Sequence, residues 1–478
     1  MKHTLTLTGA AAVLALAATS ATATSAVPAG SETTASSLAG SRTRTASQAN
    51  AAMTRDQRIG QLFMVATQAD SVDSGLRSAI ANHHVGNVIL MGRSTSGANH
   101  IRSVTTSIQR LTEPMSVSAG VPAFISADQE GGNVQVLRGP GYDTMPTALV
   151  QGQQPTLTLQ GNAERWGTQL GRSGVNTNLA PVLDVVPASH KATNQPIGRW
   201  DREYGATTSV VTVKGGAVQT GMTRAGVATT VKHFPGLGRV VGNTDVTKGV
   251  TDSVTSRTSP ILHPFAVAVD RDTPFVMMSS AIYTKIDARQ PAVFSPTVIR
   301  SVLRTQLGFG GVVMTDDVGN AKQLEDWTPG QRATKFIDAG GDMVLTANTS
   351  TLPQMVAAVR SKAATSPAFA TKVDIASLRV LRAKEAAGLL TARIAPDGQY
   401  TAWTTKRIQM WLGVPATGTF DTSTITAFQR RIGASATGRW DAASFRALQT
   451  YLGVSPDGTT TWNVRTTTQM QRYLITQL

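Results

Sequence analysis

From Thr54 to about Arg393, short apolar runs alternate with longer segments of helical pattern. The runs are Gln61–Thr67, Val85–Gly92, Ala123–Ala127, Thr177–Leu183, Ala228–Val231, Phe275–Ser279, Gly311–Thr315 and Asp342–Thr346. Eight β-like runs, each followed by a longer segment, predict an α/β fold, a (β/α)8 barrel of the TIM type. An open doubly wound sheet is the competing arrangement. The position of the polar residues favours the barrel. Asp128 follows the third run, Asp184 the fourth, Lys232 and His233 the fifth, and Asp316 the seventh. In a barrel these strand ends converge on one mouth. A last helix over Ser377–Leu390, with Leu378, Leu381 and Ala386 on one stripe and Gly388 as its stop signal, closes the domain.

Beyond the Pro396-Asp397-Gly398 turn the pattern changes to a repeat. Gln409, Gln429, Gln449 and Gln469 recur every 20 residues, and Gly413/Gly433/Gly453 and Gly418/Gly438/Gly458 keep the same step. Each unit reads as one short helix ending at a glycine, then a loop with a second glycine. So short a unit cannot bury an apolar face alone, so Trp411, Phe428, Trp440, Phe445 and Tyr451 are expected to pack between units. The segment therefore predicts a small all-α repeat domain.

The N-terminus reads differently again. Met1-Lys2-His3 is basic, residues 4–19 are apolar, and Ala21-Thr22-Ala23 is a small-x-small cleavage site, the layout of a secretory signal peptide. Residues 24–50 are mostly Ser, Thr, Ala and Gly, which predicts a flexible leader. No later run is long enough to span a bilayer. The expected product is secreted, extracellular or wall-associated. Composition agrees: 41% hydrophobic and 15% charged residues exclude a wholly disordered chain. The absence of cysteine excludes disulfides and thiolate chemistry. A net charge of +15 predicts attraction to polyanions, and export turns that towards acidic wall polymers rather than nucleic acid.

Three motifs carry candidate chemistry. Asp128-Gln129-Glu130-Gly131-Gly132 sets two carboxylates and a tight turn after a strand. Lys232-His233-Phe234-Pro235-Gly236 supplies donors, and Thr315-Asp316-Asp317 adjacent acids. Glycoside cleavage needs this combination: a carboxylate at the cationic sugar centre, a proton donor for the leaving oxygen, and donors for the hydroxyls. Gly236-x-Gly238-x-x-x-Gly242 has the wrong spacing for a dinucleotide loop, His83-His84, His190 and His263 lack metal spacing, and Ser279-Ser280 lacks a nucleophile elbow. No cofactor and no metal is expected.

With Ala180-Pro181-Val182-Leu183-Asp184 added, the ordered set resembles glycoside hydrolase family 3, in its single-barrel β-N-acetylhexosaminidase branch, over about residues 54–393. The resemblance implies that Asp316 is the nucleophile of a retaining reaction. It further implies that Asp128, Arg202, Lys232 and His233 hold the hydroxyls of the non-reducing sugar, with Arg199 the weaker candidate for the arginine's role. Residues 403–478 resemble a helical peptidoglycan-binding domain, which implies peptidoglycan or an anionic wall polymer as partner; eight Lys/Arg against three Asp give that segment +5.

Two departures stand out. Where the family carries Asp-Ser-His in a mobile loop, this chain has Asn243-Thr244-Asp245, so Asp245 is the expected proton donor, provided that burial or a neighbouring carboxylate raises its pKa. Asn133 and Val136 stand where arginines are common. The expected division is signal peptide 1–23, leader 24–50, barrel 51–395, linker 396–402 and module 403–478. The expected activity is removal of non-reducing terminal β-linked N-acetylglucosamine from peptidoglycan-derived or chitin-like glycans. A β-glucosidase-type enzyme of the same family and a non-catalytic wall-binding protein on a degenerate barrel are the alternatives.

Overall fold

The computed structural model describes residues 45–478, apart from 113, 391–397, 399, 401, 415, 416 and 478. The signal peptide and most of the leader lie outside the described residues. Eight parallel strands close a barrel in chain order: β1 Phe63–Gln68, β2 Asn87–Met91, β3 Phe124–Ala127, β4 Thr177–Asn178, β5 Ala228–Phe234, β6 Phe275–Met278, β7 Val312–Asp317 and β8 Met343–Thr346. Each lies within or across an expected run. The fourth is shortest: only Thr177 and Asn178 are in the ladder, and beyond them a single bridge joins Val182 to Lys232.

Alternation along the strands explains why these runs are apolar throughout. Met64, Ile89, Phe124, Phe275, Met277, Met314, Met343 and Leu345 fill the barrel interior. Phe63, Val65, Val88, Leu90, Ile125, Val276, Val313 and Val344 face the surrounding helices. A strand buried on both faces has no polar side to show.

The closing helix runs Pro367–Ala386, ten residues earlier at its start than expected. Ser366 caps it by accepting from the Phe369 amide, and Pro367 occupies the first turn, where its missing N–H costs nothing. Its Val380 joins the interior cluster. Its buried Lys384 donates to Gln61 Oε1 and the Gly86 carbonyl, both at 2.8 Å, so this helix stoppers the N-terminal end of the barrel. Burial holds the Lys384 ammonium well below its usual pKa.

The leader requires a correction. Ala46–Ala52 is a helix with a reciprocal Thr45–Gln48 capping box, not part of a solvated tail. Ala46 and Ala49 are buried with Leu381 and Leu390, and the Ala46 amide donates to Glu385 at 3.0 Å.

The C-terminal region folds as four helices, Ala402–Leu412, Thr422–Arg431, Ala442–Tyr451 and Val464–Gln477, around Ile408, Phe428, Ile432, Leu448, Met470 and Leu474. The repeated glutamines are loop clamps. Gln429 Oε1 accepts from the Gly438 amide at 3.0 Å while Nε2 donates to Arg439 O at 2.8 Å and Ser444 Oγ at 2.9 Å. Gln409 holds Gly418, Thr419 and Thr424 in the same way. The fourth clamp is Gln471, not Gln469, because the third loop is longer: Gln449 reaches 17 residues on to Thr466, where the first two reach 15. Gln471 accepts from the Gly398 amide at 3.0 Å. Tyr400 stacks on Trp462 with ring centroids 4.1 Å apart. Gly398 and Tyr400 thus belong to the module rather than to a linker over 396–402. Among the described residues no helix is long and apolar enough to cross a membrane.

Candidate active site at the barrel mouth

The C-terminal ends of β3, β5 and β7 bring the sequence motifs together. After β3 the chain turns back through the short pair Gln129–Gly131 and Val134–Gln135. Gly131 sits at φ 109°, and a Cβ there would meet the Pro146 carbonyl at 2.1 Å, so no other residue fits. This turn sets Asp128 and Glu130 side by side facing Lys232, which lies within β5.

Lys232 Nζ donates to Asp128 Oδ1 at 2.5 Å and lies 2.7 Å from Glu130 Oε1. Arg202, from the loop after β4, grips the Glu130 carboxylate with Nε and Nη2, both at 2.8 Å, and spends Nη1 on the Pro196 carbonyl. Burial alone would push Glu130 up, but Arg202 and Lys232 outweigh it and hold the carboxyl at about 2. Burial likewise opposes the charge on Lys232, and Asp128 with Glu130 more than restores it. Asp128, a quarter exposed, is the most open member of this group.

A second set is built on His233. Its Nδ1 lies 2.7 Å from Asp184 Oδ2, and Asp184 Oδ1 accepts from the His233 and Leu237 amides at 3.2 and 2.7 Å. A fully buried carboxylate can only accept, so the ring proton sits on Nδ1. That leaves Nε2 turned to Asp316 Oδ2, 3.8 Å away. Asp316, at the end of β7, is one-third exposed, and its Oδ1 accepts from the Asp317 amide at 2.8 Å. Asp317 is turned inwards, accepting from the Gly319 and Ala347 amides.

Asp245 completes the mouth. Its loop leaves the β5 turn, and the Asn243 side chain accepts from the Asp245 amide at 3.0 Å. Asp245 is exposed to solvent at the rim. Desolvation by the surrounding protein, with the Asp316 carboxylate next, pushes Asp245 from 3.8 up to about 6, against the smaller opposing pull of His233. The shift is in the direction that a proton donor at this position requires.

All six expected site residues, Asp128, Arg202, Lys232, His233, Asp245 and Asp316, therefore meet at one mouth. Arg199 lies apart, its guanidinium over the Trp200 ring at 5.8 Å. Glu130 and Asp184 are the residues that the sequence left without a role. Their signals were the Asp-x-Glu spacing and a lone acid ending the fourth run. The arrangement presents one accessible carboxylate backed by an oriented imidazole, a second carboxyl poised to carry a proton near neutrality, and a Lys–Asp pair for hydroxyls. That is the equipment of two-carboxylate displacement at an acetal.

Comparison with known proteins agrees with this chemistry. Residues 54–383 match the model of the glycosyl hydrolase family 3 N terminal domain. A crystal structure of a β-N-acetylhexosaminidase from Beutenbergia cavernae superposes with a TM-score of 0.69 at 47% identity, covering 70% of this chain and 98% of that one. A family 3 β-N-acetylglucosaminidase from Paenibacillus sp. gives a TM-score of 0.64 at 28% identity, over 70% of this chain and 63% of that one. A β-hexosaminidase of Stenotrophomonas maltophilia is 28% identical over 309 residues, 63% of this chain and 88% of the relative.

Proposed function

The chain belongs to glycosyl hydrolase family 3, and on that footing we propose that it is a β-N-acetylhexosaminidase that removes terminal β-linked N-acetylglucosamine with retention of configuration. The observation that carries this reading is the pairing of Asp316 with Asp245. One is an accessible carboxylate facing His233, and the other is an acid raised to about 6 beside it.

In the first step Asp316 attacks the anomeric carbon while protonated Asp245 gives its proton to the departing oxygen. Asp128, Lys232 and His233 fix the hydroxyls, and the Asp184–His233 bond keeps the imidazole in one orientation as charge develops. In the second step Asp245, now ionised, takes a proton from water, which displaces Asp316 from the sugar.

Trapping with a 5-fluoro N-acetylglucosaminyl fluoride followed by peptide mass mapping tests the assignment. Asp316 should carry the label, and Asp316→Ala should abolish both labelling and hydrolysis of nitrophenyl N-acetylglucosaminide. Label on another residue, or faster turnover of the glucoside, would refute it.

We further propose that the enzyme is exported and that its helical module holds it on peptidoglycan. The basic-apolar-small pattern of residues 1–23 and the module's +5 charge support this. So does the cluster at its helix ends, where Arg431 lies over Trp411 at 5.2 Å and the Tyr451 and Tyr473 hydroxyls meet at 2.8 Å. Truncation after Leu390 should end sedimentation with purified sacculi and spare hydrolysis of the nitrophenyl substrate. Equal sedimentation of the truncated enzyme would refute the module's role.

A further inference from the structure

The loop bearing Asp245 does not stand free over the mouth. The Lys322 amide donates to the Asp245 carbonyl at 3.1 Å, and the Gln323 amide to the Thr244 carbonyl at 3.0 Å. The Gln323 side chain then reaches the far end of the same loop. Its Oε1 accepts from the Val250 amide at 2.9 Å, and its Nε2 donates to the Val250 carbonyl at 3.3 Å. The carboxamide thus engages both backbone groups of one residue: it alone satisfies the amide, and it shares the carbonyl with the Ile282 amide, which donates at 3.0 Å. Gln323, Thr244 and Val250 are all buried, so these bonds face little competition from water. An exposed pair, Lys248 with Asp326 at 2.6 Å, adds a weak outer contact.

The segment that makes these bonds is the loop that follows β7, the strand whose last two residues are Asp316 and Asp317. It is anchored in turn from the helix Pro329–Ala339. Arg332 donates to the Val318, Gly319 and Trp327 carbonyls at 2.7, 3.1 and 2.8 Å, and Trp327 packs edge-on against Phe294 at 5.2 Å. On its other side the Asp245 loop is tied down by Asn194, whose Nδ2 donates to the Leu237 and Val240 carbonyls at 2.7 Å.

From this geometry we propose that Gln323 is a positioning residue for the reaction. By clasping Val250 and docking Thr244, it holds Asp245 opposite Asp316. The end of β7 therefore supplies the attacking carboxylate, and the loop that follows it sets the place of the proton donor. This inference rests on Asp245 acting as acid and base, and the test separates the two claims.

The measurement is kcat/KM on two N-acetylglucosaminides, one leaving as 2,4-dinitrophenolate, which needs no proton, and one leaving as a sugar, which does. The proteins are wild type, Asp245→Ala and Gln323→Met, the last chosen because it fills the same buried space without either bond. Asp245→Ala should lose about 100-fold or more on the disaccharide and less than about threefold on the activated substrate. Gln323→Met should show the same asymmetry, with a loss of about tenfold or more confined to the disaccharide. Added azide, which needs no general base, should raise kcat of both variants on the activated substrate. An equal loss of Gln323→Met on both substrates, or no loss on either, overturns the positioning role. A symmetric result for Asp245→Ala would instead overturn Asp245 as the donor.

Discussion

The pKa of Asp245 makes a prediction that can be worked through in numbers. Desolvation at the rim and then the Asp316 carboxylate raise it from 3.8 to about 6. At pH 7 a carboxyl of pKa 6 is protonated in about one molecule in ten, and one of pKa 3.8 in only about one in 1,600. The environment thus multiplies the working acid form by up to about 100-fold, an upper bound because solvent screens the exposed carboxyl. In wild type, kcat/KM for the disaccharide should be flat below pH 6 on this limb and fall about tenfold for each pH unit above it. The Asp245→Asn enzyme cannot titrate there. Its profile should lose the alkaline limb, at a plateau lower by about 100-fold or more. The assay is initial-rate kinetics from pH 4.5 to 8.5 at constant ionic strength, since free-enzyme groups govern kcat/KM. Survival of a limb near pH 6 in Asp245→Asn would assign that titration to another group and remove Asp245 from the mechanism.

Other consequences follow from the same contacts. Glu130 is held at about 2 against an ordinary 4.5, so its ionised pairing contributes about 3 kcal/mol of stability above pH 4.5, lost as the pH falls towards 2. Glu130→Gln should lower the urea-unfolding free energy by about 3 kcal/mol at pH 7, with the gap to wild type closing in acid; a gap independent of pH would contradict the pairing. Asp184→Asn places an amide against His233 Nδ1 and should cut kcat on the disaccharide at least about tenfold with little change in KM, because the imidazole loses its fixed tautomer. Gln429→Ala strands the buried Gly438 amide, which should destabilise the helical module by about 1–3 kcal/mol in calorimetry while nitrophenyl glycoside hydrolysis stays unchanged.

The barrel was legible in the chain because its strands are buried on both faces, so each registers as a compact apolar run with its polar residues at one end. The mouth was legible for a related reason, since chemistry placed at strand ends stays next to the strand in sequence. Pairings across the barrel were not legible in this way. That Glu130 belongs to Arg202, 72 residues on, and Asp184 to His233, 49 residues on, depends on closure of the sheet. Gln323 was invisible for a further reason, because its partners are backbone groups of Val250, which leave no trace in side-chain type. The Ala46–Ala52 helix was misread as tail because it packs through alanines, whose small apolar area hardly moves a composition-based reading; its local signal was the Thr45/Gln48 capping box. The closing helix began early for a similar reason, its start being marked by Ser366-Pro367 and not by the apolar stripe.

The bond from Gln471 to the loop ahead of the first helix gives the C-terminal module the logic of a wreath instead of a stack. An open array can gain or shed a copy at either tip and frays from there. Here the fourth helix is bonded to the segment ahead of the first, so the two ends of the four-helix set hold each other against fraying.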